Sequence, residues 1–165
     1  MRLLEQIQIC AGFNPVDLQT GANSGDWVSL KNYNHLTAVF WKAAGTAGDD
    51  PTLTLQQATD VSGTGAKALN FTRVDTKQGA SLFAIGTFTK VTQAAGNTYT
   101  DDTSAEVQAI WVVEIDAADL DRANSFDCVR ATVADVGGNA QLGCLFYILS
   151  EPRYAGEPAV SAIVD

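Results

Sequence analysis

The stretch Glu106-Val107-Gln108-Ala109-Ile110-Trp111-Val112-Val113-Glu114-Ile115-Asp116 decides how the chain is read. Successive side chains of a strand point to opposite sides, so Val107, Ala109, Trp111, Val113 and Ile115 share one apolar face. The other face carries Glu106, Gln108, Ile110, Val112, Glu114 and Asp116, polar at its ends and apolar in its middle. The run is rich in β-branched and aromatic residues, which suit a half-buried pleated surface. It predicts a strand with one face in a core. Asp116 then stands at a plausible helix N-cap with Asp119 three residues on, a pattern that opens helical turns. One short helical turn is expected over residues 116–123.

Outward from this strand the same grammar repeats. Strand-like runs are expected at residues 3–9, 26–33, 36–41, 52–56, 67–74, 82–91, 126–133 and 142–149. Between them lie Gly12-Phe13-Asn14-Pro15, residues 45–51, Ser62-Gly63-Thr64-Gly65, a polar loop over 93–104, and Gly137-Gly138-Asn139, which are breaker and turn signals. Residues 36–41 are apolar on both faces, as a strand covered twice would be. The whole predicts an all-β sandwich of about eight strands. Jelly-roll topology is the expected arrangement, although strand order cannot be read from spacing. The organisation expected is an N-terminal strand or arm with a loop (1–25), a sandwich (26–152) and a C-terminal tail (153–165).

Composition agrees. The 165 residues are one domain's worth. Sixteen Thr and 14 Asp against 5 Glu and 5 Lys favour strands and turns over exposed helices. A net charge of −9, with ten basic residues spread singly, leaves no phosphate track for nucleic acid and disfavours an anionic membrane. Cys10, Cys128 and Cys144 are odd in number and lack C-x-x-C spacing, so no disulfide framework is expected. The first twelve residues, broken by Glu5, Gln6 and Gln8, lack the apolar core of a signal peptide. The longest apolar run, 142–149, is far short of a membrane span. Synthesis in the cytosol without N-terminal export is expected.

Candidate chemistry is thin. The single histidine, His35, sits in Asn32-Tyr33-Asn34-His35 and reads as a polar turn residue. No G-x-S-x-G elbow frames a serine. His35 with the three cysteines lacks the close spacing of zinc ligands. Asp49-Asp50 and Asp101-Asp102 read as solvated turn carboxylates, lacking the spaced pattern of a calcium loop. Ser62-Gly63-Thr64-Gly65-Ala66-Lys67 departs from G-x-x-x-x-G-K-[ST] and reads as a hairpin turn. Trp27, Trp41 and Trp111 suit packing better than a sugar-stacking platform. No enzyme activity, cofactor or metal is expected.

Four stretches carry a resemblance. They are Asp26-Trp27-Val28-Ser29-Leu30-Lys31-Asn32-Tyr33; Gln56-Gln57-Ala58-Thr59-Asp60-Val61 leading through Gly63 and Gly65 to Lys67-Ala68-Leu69; Val113 to Asp121 with Phe126-Asp127-Cys128-Val129-Arg130; and residues 145–154, ending Ser150-Glu151-Pro152-Arg153-Tyr154. Together they resemble a family of small virion proteins of tailed bacteriophages, encoded among head genes. The resemblance implies a capsid decoration (cement) protein, with the major capsid protein as partner. It also implies a place on the virion surface after assembly in the bacterial host cytoplasm. A carbohydrate- or receptor-binding β-sandwich and a hydrolase with an unrecognised site are the competing readings.

Apolar side chains on the second face of a strand ask for a cover, and closed symmetry is the usual one. A homo-oligomer is therefore expected, and the resemblance implies a trimer. The candidate interface residues are Ile110 and Val112 with Leu3, Ile7 and Ile9. The last three belong to an N-terminal segment that is either an arm reaching a neighbour or the first strand of its own sandwich.

Overall fold

The computed structural model describes residues 3–101, 107–154 and 159–163. Its strands are β1 (Gln8–Asp17), β2 (Asn23–Ser24), β3 (Val28–Ser29), β4 (Tyr33–Lys42), β5 (Thr52–Ala58), β6 (Lys67–Ala68), β7 (Phe71–Gly79), β8 (Thr89–Gly96), β9 (Thr98–Thr100), β10 (Gln108–Asp116), β11 (Cys128–Val133) and β12 (Leu142–Pro152). Four of these are two or three residues long, which leaves eight long strands. Two antiparallel sheets result. One has the order β1-β12-β4-β10-β7-β8 and the other β2-β11-β5-β6, with β3 pairing β11 and β9 pairing β5. The all-β sandwich expectation holds. Counting β3 and β9, each sheet has six strands, one sheet holding β1 (the β1 sheet) and the other holding β5 (the β5 sheet).

The deciding strand behaves as its alternation requires. Ala109, Trp111, Val113 and Ile115 are buried on β10, while Glu114 and Asp116 are exposed. Glu106 lies outside the described residues. β10 pairs with β4 on one side and β7 on the other. Trp111 is wholly buried between Phe40 of the same sheet (centroids 5.4 Å apart) and Tyr99 of the other sheet (4.9 Å, edge to face). Leu53 and Leu55 of β5 and Val129, Ala131 and Val133 of β11 close the core from the opposite side. Burying one such side chain contributes about 1.5–3 kcal/mol, so this layer dominates stability.

A polar clasp joins the two sheets. The Tyr147 hydroxyl on β12 accepts from the Ala131 N–H at 2.9 Å and donates to the Asp26 carbonyl at 3.2 Å. Gly25 makes the clasp possible: a Cβ there would stand 2.4 Å from the Ala131 oxygen and 2.6 Å from the Tyr147 hydroxyl. Burial drives the Tyr147 phenol far above the ordinary tyrosine range.

Several sequence expectations shift. The run expected at 3–9 is strand only from Gln8, and it continues through the supposed breaker to Asp17, paired with β12. Register shifts between Ala11 and Phe13 and between Phe13 and Val16 absorb Pro15. An edge strand tolerates the missing N–H. This segment is thus the first strand of its own sandwich, and the separate arm does not hold for Gln8–Asp17. The strand expected at 82–91 is instead a 3-10 turn, Leu82–Ala84, followed by β8 from Thr89. The loop expected at 93–104 is largely strand as far as Thr100; residues 102–104 lie outside the described residues. His35 lies inside β4, not in a turn, because β10 and β12 pair with Tyr33–Lys42 from both sides. The expected helical turn is present as Ala117–Asp119 with its Asp116/Asp119 capping box, followed by a second turn, Arg122–Asn124. The C-terminal segment is not a free tail throughout. Ala162 is buried, its carbonyl accepts from the Ser29 N–H at 2.7 Å, and the Tyr33 hydroxyl donates to the Val160 carbonyl.

Candidate functional site

Strand register sets which side chains share the outer face of the β1 sheet. Ile110 of β10 stands opposite Trp41 of β4, and Trp41 opposite Cys144 of β12. One row along, Val112, Val39, Phe146 and Ala11 line up across four strands. The next row holds Glu114, Thr37, Ile148 and Ile9. The alternation that sends Trp111, Phe40, Leu145 and Tyr147 into the core sends these residues out. Trp41 and Ile9 are half exposed. Val39, between its cross-strand neighbours Val112 and Phe146, is 8% exposed. Beyond β10, Phe88 lies over the Lys77 ammonium at 4.7 Å, and a shallow hollow among Arg73, Asp75, Phe88, Val112 and Glu114 continues the face. An uncharged apolar band therefore runs from β1 to β10. Adhesion to another protein surface is what such a band can do.

The expected interface residues fall into two groups. Ile9, Ile110 and Val112 join this band. Leu3 is exposed on a separate 3-10 turn, Leu3–Glu5, and Ile7, half-buried, precedes β1. The sequence reading missed Val39, Trp41, Phe146 and Ile148 as members. The available signal was that 36–41 and 142–149 carry apolar residues on both faces, which a strand with one solvated face need not do.

The candidate chemical groups are placed apart or already engaged. His35, Ser150 and Asp116 form one cross-strand row, with His35 Nδ1 3.2 Å from Ser150 Oγ. Among the described residues, no hydrogen bond joins the ring to Asp116, whose own N–H donates to Asp119 at 2.9 Å. Cys10 points into the core, Cys128 lies under Trp27 on the other sheet, and Cys144 is on the outer band. Burial pushes the Cys10 and Cys144 thiols up, away from the reactive thiolate. The Asp49 carboxylate is taken by the N–H and side-chain amide of Asn139 (3.1 and 2.7 Å), tying two loops together. Asp101 accepts from Gln78 at 2.8 Å, and Asp102 lies outside the described residues. In the Ser62–Gly65 turn, the Asp60 carboxylate accepts from the N–H groups of Ser62 and Thr64 at 2.9 and 3.0 Å. Bonding to Thr64 holds the Asp60 carboxyl below its usual range. The protein's own anion thus fills the backbone cradle a phosphate would need.

The three tryptophans share no face. Trp111 is in the core, and Trp41 is on the outer band. Trp27 packs on Ala58 and Cys128, with the Arg130 guanidinium 4.6 Å over its ring. They form no stacking platform.

No protein family and no curated protein matches this sequence. Among solved structures the chain is similar to a mutant VP2 protein of infectious bursal disease virus from derived T=1 particles. The TM-score is 0.28 and the identity 7%, over 95% of this chain and 42% of that one. The chain therefore spans less than half the length of that protein.

Proposed function

We propose that this chain is a non-catalytic structural protein of a bacteriophage particle, a decoration or cement protein that binds the major capsid protein at the outer surface of the shell. The observation that carries the reading is the uncharged band Ile9–Ile148–Phe146–Val39–Trp41–Ile110–Val112 on an otherwise strongly acidic molecule. Such a band is a cost in a solitary soluble protein and a contact surface in an assembled one. The resemblance of residues 27–154 to small head-associated virion proteins supports the same role. Self-association as a trimer belongs to the reading, since capsids offer three-fold sites. The acidic charge suits the outside of a shell packed with anionic genome, because it discourages binding to nucleic acid.

The test is to mix the purified chain with heads that lack it, sediment the heads and image them by cryo-electron microscopy. Regular added density at local symmetry axes is expected. Heads that sediment bare, with all of the chain left in the supernatant, would overturn the reading.

A further inference from the structure

The edges of the two sheets are not alike. Those of the β5 sheet are β2, β3, β6 and β9, each only two or three residues long. The β1 edge carries Pro15 and two register shifts. Residues 161–163 line one hollow with residues 8–11 of β1, and the Gly12 carbonyl accepts from the Asp26 N–H at 3.0 Å. Short strands, proline, bulges and cover are the devices that keep an edge from pairing. The remaining edge, β8, lacks them over its first half. It holds no proline. It pairs with β7 in unbroken register over residues 89–92 and shifts only beyond them. Thr89, Lys90 and Thr92 are exposed. Among the described residues, every backbone hydrogen bond of residues 89–92 goes to β7.

We infer that residues 89–92 of β8 take an added strand from a partner protein, an extended segment with carboxylates on its outward side chains. Edge chemistry selects the extended backbone. Every second residue of an edge strand turns its N–H and C=O away from the sheet, and another strand answers both at that spacing. Charge selects the side chains. Residues 71–100 hold three of the chain's ten basic residues, Arg73, Lys77 and Lys90, and one of its nineteen acidic ones, Asp75. Both Asp75 oxygens accept from Arg73 at 2.8 Å, and Glu114 of β10 lines the same hollow as Arg73. Arg73 is thus answered within the fold. Lys90 stands on the edge itself and, among the described residues, makes no ion pair, nor does Lys77 behind it. An outward carboxylate on an added strand lies across from Lys90, a favourable cross-strand pair. The same lysine rejects a second copy of β8, which brings another lysine and no acid. This goes beyond the proposed function and does not depend on it, since it concerns the β8 edge and not the outer band.

The test is to titrate the isotope-labelled full chain with three short capped peptides and follow its amides by NMR. One peptide alternates glutamate and valine, and one alternates lysine and valine. The third is the glutamate peptide with two adjacent central residues replaced by proline, which removes an N–H from each of its edges. The glutamate peptide is expected to bind in the millimolar range, as a few backbone bonds made by a free peptide allow. Shifts should centre on residues 89–92, and alternate amides there should exchange with solvent about tenfold more slowly at saturation. The proline peptide should not bind. The lysine peptide should bind about tenfold more weakly than the glutamate peptide or not at all. Lys90→Gln alters an exposed side chain, so it should leave the melting temperature unchanged and weaken the glutamate peptide about threefold. Absence of any shift at about 10 mM glutamate peptide would overturn the inference. So would shifts that leave β8 untouched, or a proline peptide that binds as well as its parent. Equal binding of the glutamate and lysine peptides would remove the acidic partner and with it the proposal. None of these results bears on whether the chain coats heads.

Discussion

The two sheets share one core and present opposite outer faces. Outward positions of the β5 sheet are Thr52, Thr54, Gln56, Arg130 and Thr132, joined by Thr98 and Thr100 of β9. Two pairs of these groups bond each other. The Thr52 and Thr100 hydroxyls are 2.6 Å apart, and the Arg130 guanidinium donates to Gln56 at 2.7 Å. Where that face does carry apolar groups, at Ala58 and Cys128, Trp27 covers them and Arg130 covers Trp27. Among the described residues, the β1 sheet has no such finish over β1, β12, β4 and the middle of β10. Inward residues are apolar in both sheets apart from the buried Lys42, Thr76 and Gln57, so the main difference lies in the outward half of the alternation. A polar ladder marks a surface meant for water, and an apolar row marks one meant for protein.

The largest effect tests the shared half of the comparison. Trp111→Ala removes the side chain that Phe40 packs from the same sheet and Tyr99 from the opposite one. It should cost about 3–5 kcal/mol, read as a lower urea midpoint. A loss below about 1 kcal/mol would mean that the two sheets do not depend on a common core.

Next comes the seam between the sheets. Burial first, then the Asp101 charge, pushes the Tyr99 phenol up to about 12. Tyr99 is protonated in both states at neutral pH and contributes no pH dependence there. Above the ordinary tyrosine value near 10, the unfolded chain releases its proton while the folded chain keeps it. Stability therefore falls as pH rises from about 10 to about 12. Tyr147 and Tyr33, also raised chiefly by burial, act in the same sense. Urea midpoints across this range should decline, and Tyr99→Phe should flatten part of the decline. A variant as alkali-sensitive as wild type would remove Tyr99 from the seam.

The inward half of this design was legible in the sequence, and the outward half was not. The β10 alternation, the Asp116 capping turn and the strand number all follow from local pattern, because period and capping act over a few residues. The band on the outer face needs register. Ile9, Ile148, Phe146, Val39 and Val112 come from four strands far apart in the chain, and only pairing shows that they meet. The residues expected as strand at 82–91 misled for a related reason. Leu82, Phe83, Ile85 and Phe88 are apolar enough for a core strand, yet they form a displayed tip because Gly79 and Gly86 flank a turn. Pattern reports that a residue is apolar; it does not report whether the fold has room for it inside.

A smaller stability effect sharpens the contrast between the outer faces. Ile110→Lys on the β1 sheet and Thr54→Lys on the β5 sheet replace residues that are both outward and half-buried. Each should change unfolding free energy by no more than about 1 kcal/mol. Only Ile110→Lys should abolish self-association and head binding. Equal loss from both, measured by sedimentation with heads, would mean that the polar ladder is a contact surface as well.

The smallest effect is expected at the polar end of the same outer face, where His35 stands between Ser150 and Asp116. A serine, a histidine and an aspartate in one row invite a hydrolytic reading, and register alone would place them there. Catalysis needs more than a row: the ring must bridge the serine and the carboxylate through its two nitrogens. Here Nδ1 faces Ser150, and Asp116 sits in the capping box of the following turn. His35→Ala removes one half-buried hydrogen bond and leaves a serine that water can reach, so the cost is at the low end, about 0.5 kcal/mol. Folding, self-association and head binding should all survive. If the variant folds and assembles as wild type does but particles built with it lose infectivity, the row has a chemical role. The outer face would then be divided, adhesive over the apolar band and reactive where the strands turn into the Ala117–Asp119 cap.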